Sequence, residues 1–406
     1  MSLAPDTTTT DTTTTTIAEQ LGIKAHSDGT GRVAPVQTRS ARFKSTNPED
    51  FEAVNGRELD WKLSPVAKLT AFTAGELDGS RFPYSATESA GVSFSWIPVT
   101  DPRVGSAGIP EDRASANAWT AATEVLLVSI GAEDVSEITI TRDATGQTPR
   151  AAHIVIEAAP FSKSTIIIRN TGDAQLVENL EILVGESANL SVISVQQWND
   201  DAIHLGSHFA RIGRDASLKH ALVSLGGDVI RINPSAHLAE AGGSVDLLGL
   251  YFADAGQHIE QQVYVFHDAP QTKSRVTYKG ALQGKGARTV WVGDVLIGAK
   301  GTGTDSYEQN RNLVLSEGTR ADSIPNLEIE TGDIAGAGHA SATGRFDDEQ
   351  LFYLQARGIN EEEARKLVVR GFLNEIVQQL HVPSLEEDIH AALDIELENV
   401  HIASVN

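Results

Sequence analysis

The chain has 406 residues, enough for a large buried core, and its 32 Lys and Arg against 55 Asp and Glu leave a net charge of −23. That balance argues against a surface for nucleic acid or for an anionic membrane. Cysteine is absent, which excludes disulfides, cysteine-held zinc and thiol catalysis.

Residues 1–16 are a Thr/Asp tract with little apolar area to offset ordering entropy, so a disordered tail is expected there. The opening carries no basic n-region or apolar h-region, and no apolar run approaches the ~18 residues of a membrane span. The expected address is therefore the cytoplasm. Residues 17–120 read as a mixed region, with "IAEQLG" and "SPVAKLTAFTAGEL" predicting short helices.

From 121 to 335 the character changes to short β-rich runs, among them "EITITR", "STIIIRN", "SVDLLGLYF" and "TVWVGDVLIG". Gly, Asp and Asn punctuate them every ~10–13 residues, as in an all-β region. Two-residue hairpin turns are few. Instead Ala188-x-Leu190-x-Val192 returns as Ala216-x-Leu218-x-His220 and as Gly243-x-Val245-x-Leu247, at steps of 28 and 27 residues. A strand repeat of that length predicts a solenoid, a parallel β-helix with small residues at its corners.

Residues 336–406 read as a C-terminal helical domain. Asp347 is expected to cap "DEQLFYLQAR", and Asn360 with Glu363 matches an N-cap signal. Val368, Phe372, Ile376 and Leu380 form an apolar stripe flanked by Leu373 and Val377, predicting a helix that Pro383 stops. Ser384 and Glu387 cap a further helix carrying Leu385, Ile389, Leu393 and Leu397. The expected ending is a small acidic bundle.

The residues taken alone show no active site. G-x-S-x-G, G-x-x-x-x-G-K-[ST] and H-E-x-x-H are all missing. "GAKGTGTD" (298–305) is followed by strand-like text, so no helix N-terminus is there to hold phosphate. His204 and His208 have a zinc spacing only if helical; in extended text they lie ~13 Å apart and read as surface or turn histidines. The paired carboxylates of a β-helix carbohydrate-active enzyme cannot be singled out among so many acids, which read as scattered and solvated. His267 reads as a strand-end histidine with a local hydrogen bond. His339 reads as a loop residue before a helix.

Several stretches together carry a resemblance. "YEQNRNLVLSEGTRADSIPNLEIETGDI" and "GHASATGRFDDEQLFYLQARGINEEEARKLVVRGFLNEIV", with "ELDWKLSPVAKL" upstream, resemble the SufB/SufD family of iron–sulfur cluster assembly proteins. Without cysteine the chain looks like the SufD branch, since cluster-building thiolates belong to SufB. Ala337 stands where that branch often has Cys, and His339-Ala340-Ser341-Ala342-Thr343 replaces the usual His-Gly-Ala-Thr.

The resemblance implies a mainly β fold, a right-handed parallel β-helix core flanked by N-terminal and C-terminal helical segments. It implies a non-catalytic subunit that pairs with a SufB-like scaffold and docks a SufC-like ABC ATPase. His339 and His267 would face the cluster-assembly interface, with His339 a candidate ligand or proton-handling group. Phe352, Tyr353, Arg357 and Phe372 would serve ATPase docking. No cofactor would be held stably by the chain alone, a transient iron–sulfur cluster would form at the SufB interface, and the isolated chain could self-associate. The rival readings are a carbohydrate-active β-helix enzyme and a plain structural solenoid.

Overall fold

The structure, a computed structural model, describes residues 42–131, 135–346 and 348–398. The Thr-rich tract, "IAEQLG" and the Asp347 cap lie outside them. Among the described residues, eighteen strands form two nine-stranded sheets. One holds β1 (Ser85–Ala86), β4 (Val135–Asp143), β6 (Lys163–Gly172), β8 (Asn189–Trp198), β10 (Ser217–Ser224), β12 (Ser244–Ala253), β14 (Lys273–Leu282), β16 (Thr304–Val314) and β18 (Ile334–Arg345). The other holds β2 (Val92–Pro98), β3 (Glu124–Ile130), β5 (Gly146–Ala158), β7 (Ala174–Val184), β9 (Ile203–Ile212), β11 (Val229–Leu238), β13 (His258–His267), β15 (Arg288–Ile297) and β17 (Arg320–Ile329).

From β3 onward the chain alternates between the sheets, and every pairing within a sheet is parallel, so the core is a parallel β-helix. The sequence repeat is one coil of it. Leu190, Leu218 and Val245 stand in register on β8, β10 and β12. The next coils run longer, Val245 pairing with Ser274, Ser274 with Ser306 and Ser306 with Ala337, which is why the repeat fades in the text.

Side chains of successive coils stack in columns along the inner faces of the strands. One column is Ile138, Ile166, Val192, His220, Leu247, Val276, Glu308 and His339. Its neighbour is polar at most levels: Arg142, Asn170, Gln196, Ser224, Tyr251, Gly280, Asn312 and Thr343. Gly280 stands against the Tyr251 ring, where a Cβ would collide.

The flanks are covered from both termini. "SPVAKLTAFTAGEL" gives a short 3-10 turn (Val66–Lys68) and one α-turn (Thr70–Thr73). With α1 (Arg113–Ala121) they bury Trp61, Leu69, Phe72, Ala114 and Ala118 against Ala151, Val177, Leu205 and Val229. Asp112 caps α1 by accepting from the Ser115 N–H at 2.8 Å and also pairs with Arg231 at 2.7 Å, tying the helix to β11.

The C-terminal helices are α2 (Asp348–Gln355), α3 (Glu361–Leu380) and α4 (Pro383–Glu398). Asn360 caps α3 through the Glu363 N–H. They do not form a bundle of their own. Val369, Leu373, Ile376, Val377 and Leu380 of α3 and Leu385, Ile389 and Leu393 of α4 bury against the outer face of β6, β8, β10, β12 and β14. The parallel sheet needs a cover on that face, and the helices supply it. Strand structure also runs further than expected: β18 continues to Arg345, so His339 lies on a strand rather than in a loop.

Candidate functional site

The two ends of the β-helix differ. At the first, β1 and β2 pair antiparallel with β4 and β3, and Phe82, Tyr84, Phe94 and Trp96 stack across the opening. At the last, β17 and β18 are edge strands. Pro325 on β17 suits an edge, since proline cannot donate to a further strand. Ser341, Ala342 and Thr343 are exposed on β18, and no described element covers the rung.

His339 sits on that rung, exposed, in register with Glu308 of β16. The two side chains share a face, and His339 Nδ1 is 3.8 Å from Glu308 Oε1. Glu308 is fully buried and poorly served by donors, with only the Asn326 backbone N–H acting weakly on its carboxyl. Burial pushes its pKa up to about 8, Asp294 adds to the rise, and the Asn326 backbone N–H pulls weakly the other way. Gly293 makes room for the carboxylate: a Cβ there would strike Glu308 Oε2 and the Trp291 ring. The arrangement joins an outward imidazole to a buried carboxylate. Among the described residues no three His, Asp or Glu side chains form a metal-holding group.

His267 does not belong to this surface. It is fully buried at the end of β13, and its two ring nitrogens meet Thr272 Oγ1 at 2.8 Å and Ser274 Oγ at 2.9 Å. Burial lowers its pKa to about 4, so it stays neutral and structural. The local hydrogen bonds expected of it are present, though with hydroxyls.

The expected docking residues divide. Phe352 is 73% exposed and Tyr353 56% on α2. The Arg357 guanidinium lies 4.4 Å above the Tyr353 ring, so the two are presented together. Phe372 instead turns inward. Lys279 Nζ sits 4.7 Å over its ring and donates to its carbonyl at 3.0 Å, making it a packing residue against β14.

His204 and His208 are neither surface nor turn residues. Both are buried on β9, and each places Nε2 near Glu178 Oε1, at 3.0 and 3.1 Å. Gly206 between them pairs with Glu178 and has no side chain, so the carboxylate reaches both rings. Arg142 binds the other oxygen at 2.7 Å, and His220 Nε2 meets His208 Nδ1 at 2.9 Å. Burial alone would raise the Glu178 pKa, but the charge of Arg142 and the His204 contact hold it well below the carboxylate range. Burial also keeps His220 neutral. This network, like Glu308, went unread in the sequence; the inward positions of neighbouring coils are its only signal.

Residues 139–372 match the family model described as SUF system FeS cluster assembly, SufBD core domain. The chain belongs to the SufBD family. An iron-sulfur cluster assembly SufBD family protein of Mycobacterium bovis is 46% identical over 370 residues, 88% of this chain and 92% of that protein. One of Mycobacterium leprae is 43% identical over 365 residues, 87% of this chain and 93% of that protein. A second kind of SufBD protein in Mycobacterium tuberculosis is 28% identical over 201 residues, half of this chain and 24% of that protein. The SufBD core model spans the β-helix from β4 through α3, so the uncapped end and the His339–Glu308 pair lie within it. No helix among the described residues is long and apolar enough to cross a membrane.

Proposed function

We propose that this chain is the SufD-type, non-catalytic subunit of a cytoplasmic SufB–SufC–SufD iron–sulfur cluster assembly complex. It pairs through its uncapped end with a SufB-like scaffold subunit and takes a SufC-like ABC ATPase on its C-terminal helices. The observation that carries this reading is the uncovered terminal rung with His339 exposed on it, in a chain with no cysteine. Unpaired strand edges invite another chain, and a solenoid whose last coil is bare calls for a cover.

Mycobacterium tuberculosis carries two distinct SufBD proteins, one 46% and one 28% identical to this chain, which supports a complex of two unlike family members. The cluster is cargo here. Its thiolates come from the partner, and His339 offers an imidazole across the interface. The isolated chain therefore holds no stable cluster. The exposed Phe352, Tyr353 and Arg357 supply an aromatic and cationic patch for the ATPase.

Co-expression with a SufB-like subunit and the ATPase tests the reading. His339→Ala should fold and assemble normally, while cluster production in cells falls sharply. Full cluster production by the assembled variant would overturn it.

A further inference from the structure

A buried carboxylate without a hydrogen-bond donor is costly, and natural cores rarely keep one without a use. Glu308 is close to such a group: fully buried, with no side-chain donor and only a weak pull from the Asn326 backbone N–H, and seated in space that Gly293 leaves open. Its surroundings supply no countercharge. Val276 is its register neighbour inward, Trp291 flanks it, and Asp294 on β15 is itself paired with Arg42 at 2.7 Å. Directly above it in register stands the His339 ring, with Nδ1 at 3.8 Å.

We propose that Glu308 is the positioning residue of His339: a carboxyl oxygen accepts from Nδ1–H, holds the ring and presents Nε2 outward, toward a divalent transition-metal ion such as ferrous iron at the interface. An imidazole that binds metal through one nitrogen commonly donates the other N–H to a carboxylate, which fixes the ring and raises its basicity. A small closure of the gap completes that unit when the partner covers the rung. The inference rests on the reading of His339 as an assembly-interface group.

The test uses the full chain with ¹⁵N-labelled histidine, the His339 signals being identified by their loss in His339→Gln. Spectra are recorded at pH 9. The wild-type ring should then carry its proton on Nδ1 with Nε2 bare, whereas a free imidazole favours Nε2–H. Glu308→Met keeps an unbranched side chain of similar length and removes the acceptor. It should return the ring to Nε2–H, leave the thermal midpoint equal or higher, and cut cluster production in cells roughly 10-fold or more. Glu308→Gln, which keeps an acceptor, should lie between wild type and Glu308→Met.

A wild-type ring protonated on Nε2 with Nδ1 bare would overturn the inference, even if Glu308→Met failed to fold. So would unchanged cluster production in a folded Glu308→Met complex. If His339→Ala abolishes production while Glu308→Met does not, the positioning role alone falls. If His339→Ala itself produces clusters normally, the interface reading falls first and takes the positioning role with it.

Discussion

The first and last coils of this β-helix are built from similar strands but finished in opposite ways. The first is closed by its own chain: two antiparallel strands, an aromatic stack, and Arg142 beneath it with its guanidinium 5.8 Å from the Phe82 ring. The last is left uncovered by the described residues, with polar and small side chains on an edge strand and a buried acid poor in donors. The closed end serves stability. The bare end keeps unspent interactions, which suits a surface completed by another molecule.

The largest effects are expected where the closed half is cut. Glu178→Leu should cost about 3–5 kcal/mol, because it strands Arg142 in the interior, and Arg142→Met/Glu178→Leu should recover much of that loss in denaturant titration. Phe82, 3% exposed, should cost about 3–5 kcal/mol on change to Ala. Equal tolerance of these changes would erase the distinction between the ends.

A smaller effect concerns acid. Burial would raise the Glu260 pKa, but the hydrogen bond from His258 and the charge of Arg231 depress it to about 2. A depressed carboxylate stabilises the fold above its unfolded pKa, near 4.5, and that stability is lost as pH falls from there toward about 2. The contribution at neutral pH is of order 3 kcal/mol. Glu260→Gln should therefore be less stable at pH 7 and flatter between pH 4.5 and 2 in thermal melts.

The smallest stability effects belong to the bare end and to α2. Thr343→Lys on the exposed rung should shift stability by no more than about 0.5 kcal/mol yet block pairing with the SufB-like subunit. Tyr353→Ala with Arg357→Ala should be equally silent in melts and weaken ATPase binding in a pull-down. A marked fall in the melting temperature of either variant would show these residues to be structural.

The coil was legible in the text because Leu190, Leu218 and Val245 fall on equal steps, and it faded where the turns lengthened beyond Val245. That loss of register hid Glu308, whose inward position follows only from counting through the longer coils. His204 and His208 were misplaced for a related reason. Strand spacing separates their backbones, but a glycine between them lets one carboxylate from the neighbouring coil reach both rings. Phe372 lay on the apolar stripe as read, and the buried face proved to be turned toward Val369, Leu373 and Ile376, leaving it over Lys279. That no described element covers the last rung was not legible at all, because an edge strand carries no pattern that sets it apart from an inner one.

Backbone hydrogen exchange, read for β18 and β2 with and without the SufB-like subunit, tests the central claim most directly. The account predicts that Ile334–Arg345 amides exchange fast in the free chain and become protected when the partner is added, while β2 amides stay unchanged. A complex that forms with no new protection on β18 would contradict it.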